Sequence, residues 1–98
     1  MKKEITEIQI VSVKPNNGLV AFASFVYDKS FYFSSIGIYT KQEGGYRLTY
    51  PTRKTDNSNF NIFHPINKEV ASHIEQKVII KFEEVMKKYG RHNSFSIK

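Results

Sequence analysis

Apolar and polar residues alternate over the first half of the chain, and apolar residues recur at helical spacing over its last third. Alternation with a period of two is typical of β-strands, and clusters of Gly, Asn, Asp and Pro divide the alternating region into four runs. The predicted strands are residues 5–13, 19–27, 31–39 and 46–50. Since short turns separate these runs, the pattern predicts a small antiparallel sheet.

The connections and the second run add detail to this sheet. Asn17-Gly18 lies between the first two runs, and both residues tolerate positive φ, which is a strong hairpin signal. The run 19–27 begins with Leu19 on the same face as Ala21, and both of its faces are apolar. We therefore expect a central strand, covered by the helix on one side and by a second copy of the chain on the other. Gly37 indicates a β-bulge or a close backbone approach.

One long amphipathic helix is predicted after the strands. Asn67 suits the N-cap position, and Gly90 suits the C′ position that ends a helix. The apolar residues recur at intervals of three or four, namely Ala71, Ile74, Val78, Phe82, Val85 and Tyr89. We expect residues 1–90 to form one α+β domain of four to five strands, the fifth at 60–63, with one C-terminal helix. The basic tail 91–98 has no pattern, which is typical of disorder.

Composition narrows the class of protein. The 98 residues fit one domain, and a domain of this size often dimerises. Fifteen Lys and Arg residues against nine Asp and Glu give a net charge of +6, which favours a polyanionic partner. The chain has no cysteine, and its sequence carries no signal-peptide pattern or run apolar enough for a membrane helix. We expect a cytoplasmic protein with no membrane partner.

The candidate nucleic-acid-binding residues form two basic clusters. The first is a predicted loop after the fourth strand, with Thr52, Arg53, Lys54 and Thr55. Its cations suit phosphates, and its hydroxyls could fix the register of a strand. The second cluster follows the predicted helix, with Lys77, Lys81, Lys87, Lys88 and Arg91. We expect the two clusters to meet on one surface, although ordinary solvated cations would give the same pattern.

No catalytic or cofactor-binding motif is present. His64, His73 and His92 match no metal-site spacing, and we interpret His64 as a structural residue that holds the turn before the helix. There is no Gly-rich phosphate loop, nucleophile elbow or carboxylate pair. We therefore expect no enzymatic activity, no cofactor, no metal and no small-molecule substrate. Unpaired bases could stack on strand tyrosines, although core aromatics follow the same pattern; the candidates are Tyr32, Tyr39, Tyr46 and Tyr50.

A series of short segments resembles the SpoVG family of septation regulators. It consists of Pro51-Thr52-Arg53-Lys54-Thr55, then Phe60, then His64-Pro65-Ile66-Asn67 ahead of a single long helix. The resemblance covers roughly residues 5–89. Thr55-Asp56-Asn57-Ser58 departs from the Thr-Pro-Asp-Gly sequence that the family commonly carries after the basic pair.

The resemblance implies a homodimer joined through β-strands that binds DNA or RNA and regulates gene expression in septation or sporulation. It implies nucleic-acid contact by Arg53 and Lys54, and by the C-terminal helix as a region. The alternative is a dimeric protein–protein interaction module that acts on a regulatory partner. In that case the doubly apolar second strand and an exposed sheet edge would form the contact surface.

Overall fold

A computed structural model describes residues 3–93, with the side chains of residues 3–88. The first four strands form one antiparallel sheet whose order follows the chain, and two short strands form a second sheet. The elements are β1 (Ile5–Asn16), β2 (Leu19–Tyr27), β3 (Phe31–Thr40), β4 (Tyr46–Thr49), β5 (Thr52–Lys54), β6 (Asn59–Asn61) and α1 (Lys68–Asn93). The predicted α+β class, with one long C-terminal helix, is confirmed.

The β1–β2 hairpin turns where the sequence predicts it. Asn17 and Gly18 have φ of 53° and 93°, as a tight hairpin turn requires. However, β1 continues through Pro15 to Asn16, three residues beyond the predicted end at position 13. Pro15 is tolerated because β1 is an edge strand, where a missing amide hydrogen interrupts no central ladder.

The core lies between one face of the four-stranded sheet and α1. Its buried residues are Ile5, Ala21, Ala23, Phe25, Ile36 and Ile38 from the sheet, and Ile74, Val78 and Phe82 from the helix. The three helical residues belong to the predicted apolar stripe, so that prediction is confirmed for them. The side chain of Tyr89, the last member of the stripe, lies outside the described side chains.

Two β-bulges flank Phe25 of β2. The register shifts beside it on both sides, and Glu7 of β1 and Ser35 of β3 have φ of 51° and 63°. The sequence predicted either a bulge or a close backbone approach at Gly37. The bulge in β3 lies two residues earlier, at Ser35. Gly37 fits the close approach, because a Cβ atom there would lie 2.7 Å from the hydroxyl of Thr49.

A further register shift, at Val20, changes the faces of the first two residues of β2. Val20 lies on the face predicted for Leu19, and Leu19 lies on the face predicted for Val20. Val20 packs against the core. Leu19 instead lies beside Gly37, on the sheet face opposite α1. The prediction that Leu19 shares a face with Ala21 is wrong, because the extra residue at a bulge breaks the alternation.

The helix begins as predicted and ends later than predicted. The side-chain oxygen of Asn67 accepts a hydrogen bond of 3.1 Å from the amide three residues later, which confirms the N-cap. At the other end α1 passes through Gly90 and reaches Asn93. The predicted end at Gly90 is wrong, because a helical glycine costs only about 1 kcal/mol relative to alanine. Of the predicted tail, residues 94–98 lie outside the described residues.

Candidate nucleic-acid interface

The predicted basic loop is a β-hairpin. Thr52–Lys54 pairs antiparallel with Asn59–Asn61, and all six residues are exposed. The expected fifth strand at 60–63 thus begins one residue earlier and pairs with the basic segment. β4 ends at Thr49, one residue before the predicted end at Tyr50. The carbonyl of Pro51 accepts the amide of Ile62 at 2.8 Å, so strand pairing resumes directly after Pro51.

Thr55 and Ser58 close this hairpin. The Thr55 amide and hydroxyl both donate to the Ser58 carbonyl, at 2.8 and 3.0 Å. The Ser58 amide in turn donates to the Thr55 hydroxyl at 3.3 Å. The Thr55 hydroxyl therefore holds the turn, and its contact with phosphate stays a prediction. Thr52 lies at the exposed start of β5.

The hairpin has two chemically different faces. The register pairs Arg53 with Phe60, Lys54 with Asn59, and Thr52 with Asn61. Since neighbouring residues of a strand point to opposite faces, Arg53 and Phe60 share one face, and polar residues occupy the other. The sequence pattern placed Phe60 in the apolar run 60–63 and did not indicate that it shares a face with Arg53. The available signal was a single aromatic residue between two asparagines.

The hairpin is rooted in an aromatic cleft beneath the first turns of α1. Phe63, just after β6, lies 4.8 Å from Phe33 and 6.0 Å from Tyr50 between ring centroids. Val70 and Ile74 of α1 complete one wall of the cleft, whose volume is about 210 Å³. The hairpin is thus anchored to the core at the N-terminal end of the helix.

His64 has the structural role that the sequence predicts. Its Nδ1 donates to the carbonyl of Pro65 at 3.2 Å, at the turn between the hairpin and the helix. Among residues 3–93, no group of three or more His, Cys, Asp or Glu side chains could hold a metal ion. Within the same range, no helix is long and apolar enough to cross a membrane.

Tyr50, which lines this cleft, makes the free energy of unfolding sensitive to high pH. Burial, and to a smaller extent the Glu75 carboxylate, raises the pKa of Tyr50 to about 12. An unfolded tyrosine titrates near ~10, so the unfolded state loses this proton first, and stability falls as the pH rises between these values. We expect Tyr50→Phe, which has no such proton, to show a shallower loss of stability above about pH 10. Urea unfolding at increasing pH measures both slopes, and equal slopes would contradict this expectation.

The helical cluster surrounds a shallow depression of about 300 Å³ near the C-terminal end of α1. The depression is lined by Lys81, Glu84, Val85, Lys87 and Lys88. Lys77 is exposed one turn before Lys81. Arg91 belongs to α1, but its side chain lies outside the described side chains.

The two basic clusters lie at different ends of α1. The hairpin is rooted near the N-terminal end, whereas Lys87 lies 19 residues beyond Lys68. At 1.5 Å per residue, that separation is about 28 Å along the helix axis. Near the middle of α1, Phe82 packs against Tyr46 with 4.9 Å between the ring centroids. Lys87 is therefore distant from the root of the hairpin, and the expectation that the two clusters share one surface stays a prediction.

The hairpin cations are available for a ligand. Among the described side chains, one ion pair has a nitrogen–oxygen distance of 4.0 Å or less. It joins Lys29 to Glu4 at 3.8 Å, and both residues are exposed. Arg53 and Lys54 thus have no carboxylate partner in the part of the chain that the structure describes. An exposed cation without such a partner can neutralise a phosphate and displace the counterions condensed on a polyanion.

Fold and site together define a small basic α+β domain with a projecting cationic hairpin. The model of the SpoVG family matches residues 3–84, which include the sheet, the hairpin and most of the helix. The chain therefore belongs to the SpoVG family, as the resemblance in its sequence indicated. The match includes Arg53 and Lys54 and ends before Lys87 and Lys88.

Relatives similar in sequence occur in distant organisms, each under the name of septation protein SpoVG. A relative in Treponema denticola is 33% identical over 82 residues, covering 83% of this chain and 87% of its own. One in Caldicellulosiruptor saccharolyticus is 31% identical over 84 residues, covering 85% and 94%. One in Archaeoglobus fulgidus is 29% identical over 82 residues, covering 83% and 95%.

Proposed function

We propose that this protein is a cytoplasmic, non-catalytic homodimer that binds DNA or RNA and regulates gene expression in septation or sporulation. The observation that carries the proposal is the exposed β5–β6 hairpin, whose two cations have no carboxylate partner among the described side chains. The net charge of +6 supports a polyanionic ligand. The names of the relatives support the link to septation.

Binding would begin with phosphates. Arg53 and Lys54 displace condensed counterions, and the neighbouring hydroxyl and amide groups fix the position of the strand. The lysines at the far end of α1 provide a second contact about 28 Å along the helix axis, at 1.5 Å per residue. At about 3.4 Å per nucleotide, a strand that follows α1 over this length has about eight nucleotides.

A second copy of the chain would cover the sheet face opposite α1. Val11 registers with Phe22, and Val26 with Tyr32, on that face. Val11, Phe22 and Tyr32 are 62%, 39% and 67% exposed. Exposed apolar side chains of this kind are typical of an interface, although the Gln9–Ser24 pair lies between the two apolar pairs. A two-fold dimer would present both basic clusters twice.

Removing the hairpin cations tests the proposed ligand. We expect Arg53→Ala with Lys54→Ala to weaken binding to oligonucleotides of any sequence by at least about tenfold for each lost contact, because a charge-assisted hydrogen bond contributes at least ~1.5 kcal/mol. Gel-shift titration at low salt measures the change. Lys14→Ala with Lys41→Ala removes the same charge from exposed positions outside the hairpin and serves as the control. Equal affinities of the native protein and the hairpin variant would contradict the role of the hairpin.

The exposed apolar sheet face also supports the second candidate, a protein–protein interaction module. The two functions differ in the behaviour of the native protein on a heparin or mixed-oligonucleotide column. Retention that is lost by about 0.3 M salt would support nucleic-acid binding. No retention at low salt, together with recovery of a specific protein partner, would support the interaction module.

A further inference from the structure

We propose that Phe60 and Arg53 form a stacking platform for an unpaired nucleobase. The ligand of the hairpin would then be single-stranded DNA or RNA, or a locally unpaired segment of either. This inference rests on the proposed function, because it specifies which form of nucleic acid the hairpin takes.

The first argument is the exposure of Phe60. Its side chain is 56% exposed, on a two-stranded sheet that projects from the domain. Three residues later, Phe63 packs 4.8 Å from Phe33 and anchors the hairpin. The hairpin thus uses one aromatic ring for attachment and presents another to solvent.

The second argument is the register. Arg53 lies directly opposite Phe60 on the neighbouring strand. Opposed residues of an antiparallel pair have Cβ atoms about 5 Å apart, so the two side chains start as neighbours on one face and a base can reach both. A flat cation next to a flat ring can hold a base by stacking while the cation remains near the adjacent phosphate.

The surroundings of Phe60 favour a nucleotide over an apolar protein surface. Its strand neighbours are Asn59 and Asn61, and Lys54 lies on the opposite face. Ile62, which is 63% exposed, is the apolar side chain two residues along from Phe60. A ring next to Arg53 on a hairpin that also carries Lys54 suits a ligand with both an aromatic face and negative charge. Base–aromatic stacking is largely indifferent to sequence and needs a base whose face is free, which a base inside a duplex does not offer.

The absence of tryptophan from the chain allows a direct probe of stacking. Phe60→Trp would introduce one indole at the proposed platform, and Ile66→Trp would place one at a position that is 91% exposed outside the hairpin. We expect a mixed-sequence single-stranded oligonucleotide to quench the fluorescence of Phe60→Trp, and an abasic oligomer of equal length to leave it nearly unchanged. The fluorescence of Ile66→Trp should change little with either probe. Equal quenching of both variants by both probes would overturn the inference.

Affinities separate this inference from the proposed function. We expect Phe60→Ala to weaken binding of the single-stranded oligonucleotide by about tenfold, with no change for the abasic oligomer, and Phe60→Tyr to retain native affinity. If Phe60→Ala binds both probes like the native protein while Arg53→Ala with Lys54→Ala still weakens both, stacking is refuted and phosphate binding stands. If the native protein binds neither probe, the proposed function fails and the stacking platform fails with it.

Discussion

Phe25→Ala is expected to lower the free energy of unfolding by about 3–5 kcal/mol. Phe25 is 1% exposed, and its ring centroid lies 5.8 Å from that of Phe33. Strands hydrogen-bonded on both sides of β2 limit how far the structure can collapse into the space that the ring leaves. Because a domain of this size has about 5–15 kcal/mol of total stability, the variant would lose a large share of it.

Urea unfolding followed by circular dichroism measures this loss. Phe60→Ala is the matched control, since it makes the same truncation at a side chain that is 56% exposed. Its expected cost is below about 1 kcal/mol. If Phe25→Ala were no less stable than Phe60→Ala, the assignment of the core would be contradicted.

Phe22→Asp is expected to convert the proposed dimer into a monomer. Phe22 lies on the sheet face opposite α1, beside Val11 in the register. In the dimer this substitution would bring unpaired carboxylates into an apolar interface, which is costly without a compensating partner. The fold of each chain should survive, because Phe22 is 39% exposed and outside the core.

Sedimentation equilibrium at micromolar concentration tests the dimer. The native protein should show about twice the 11.4 kDa chain mass, and Phe22→Asp should show the mass of one chain. Phe22→Leu, which keeps the face apolar, should remain dimeric. A native monomer would contradict the dimer, and a dimeric Phe22→Asp would place the interface elsewhere.

The parts of the fold that local chemistry determines could be predicted from the sequence. Alternation and turn residues located the four strands of the main sheet, and the Asn17-Gly18 turn follows from the tolerance of both residues for positive φ. The helix start could be predicted because Asn67 offers an oxygen to the free amides of the first turn. The stripe through Ile74, Val78 and Phe82 gave the buried face of the helix.

The parts that depend on long-range pairing could not be predicted. Bulges at Glu7 and Ser35 need positive φ at residues that usually avoid it, so nothing in their identity indicates them. The shift at Val20 reverses the faces of two residues, and the identity of Val20 gives no sign of it either. The helix passes Gly90 because a local preference of about 1 kcal/mol does not alone decide where a helix ends.

The candidate site was identified from its charge, but its backbone conformation was predicted wrongly. Arg53 and Lys54 stood out as adjacent cations, but Pro51 before them suggested a loop, whereas the two residues form a strand of the hairpin. Pairing with Asn59–Asn61 is what places Phe60 beside Arg53, and a linear reading of the chain does not show it. The attachment of the hairpin beside Val70 and Ile74 of α1 likewise appears only in the folded chain.

The salt dependence of binding tests the role of the hairpin most directly. The measurement is the slope of log association constant against log salt concentration, for the native protein and for Arg53→Ala with Lys54→Ala. The proposal predicts that the slope for the variant is shallower by about 1.8 units on duplex DNA and about 1.4 on a single strand, for two lost phosphate contacts. The Lys14→Ala and Lys41→Ala control should keep the native slope. A hairpin variant that also keeps the native slope would contradict the assignment of phosphate binding to Arg53 and Lys54.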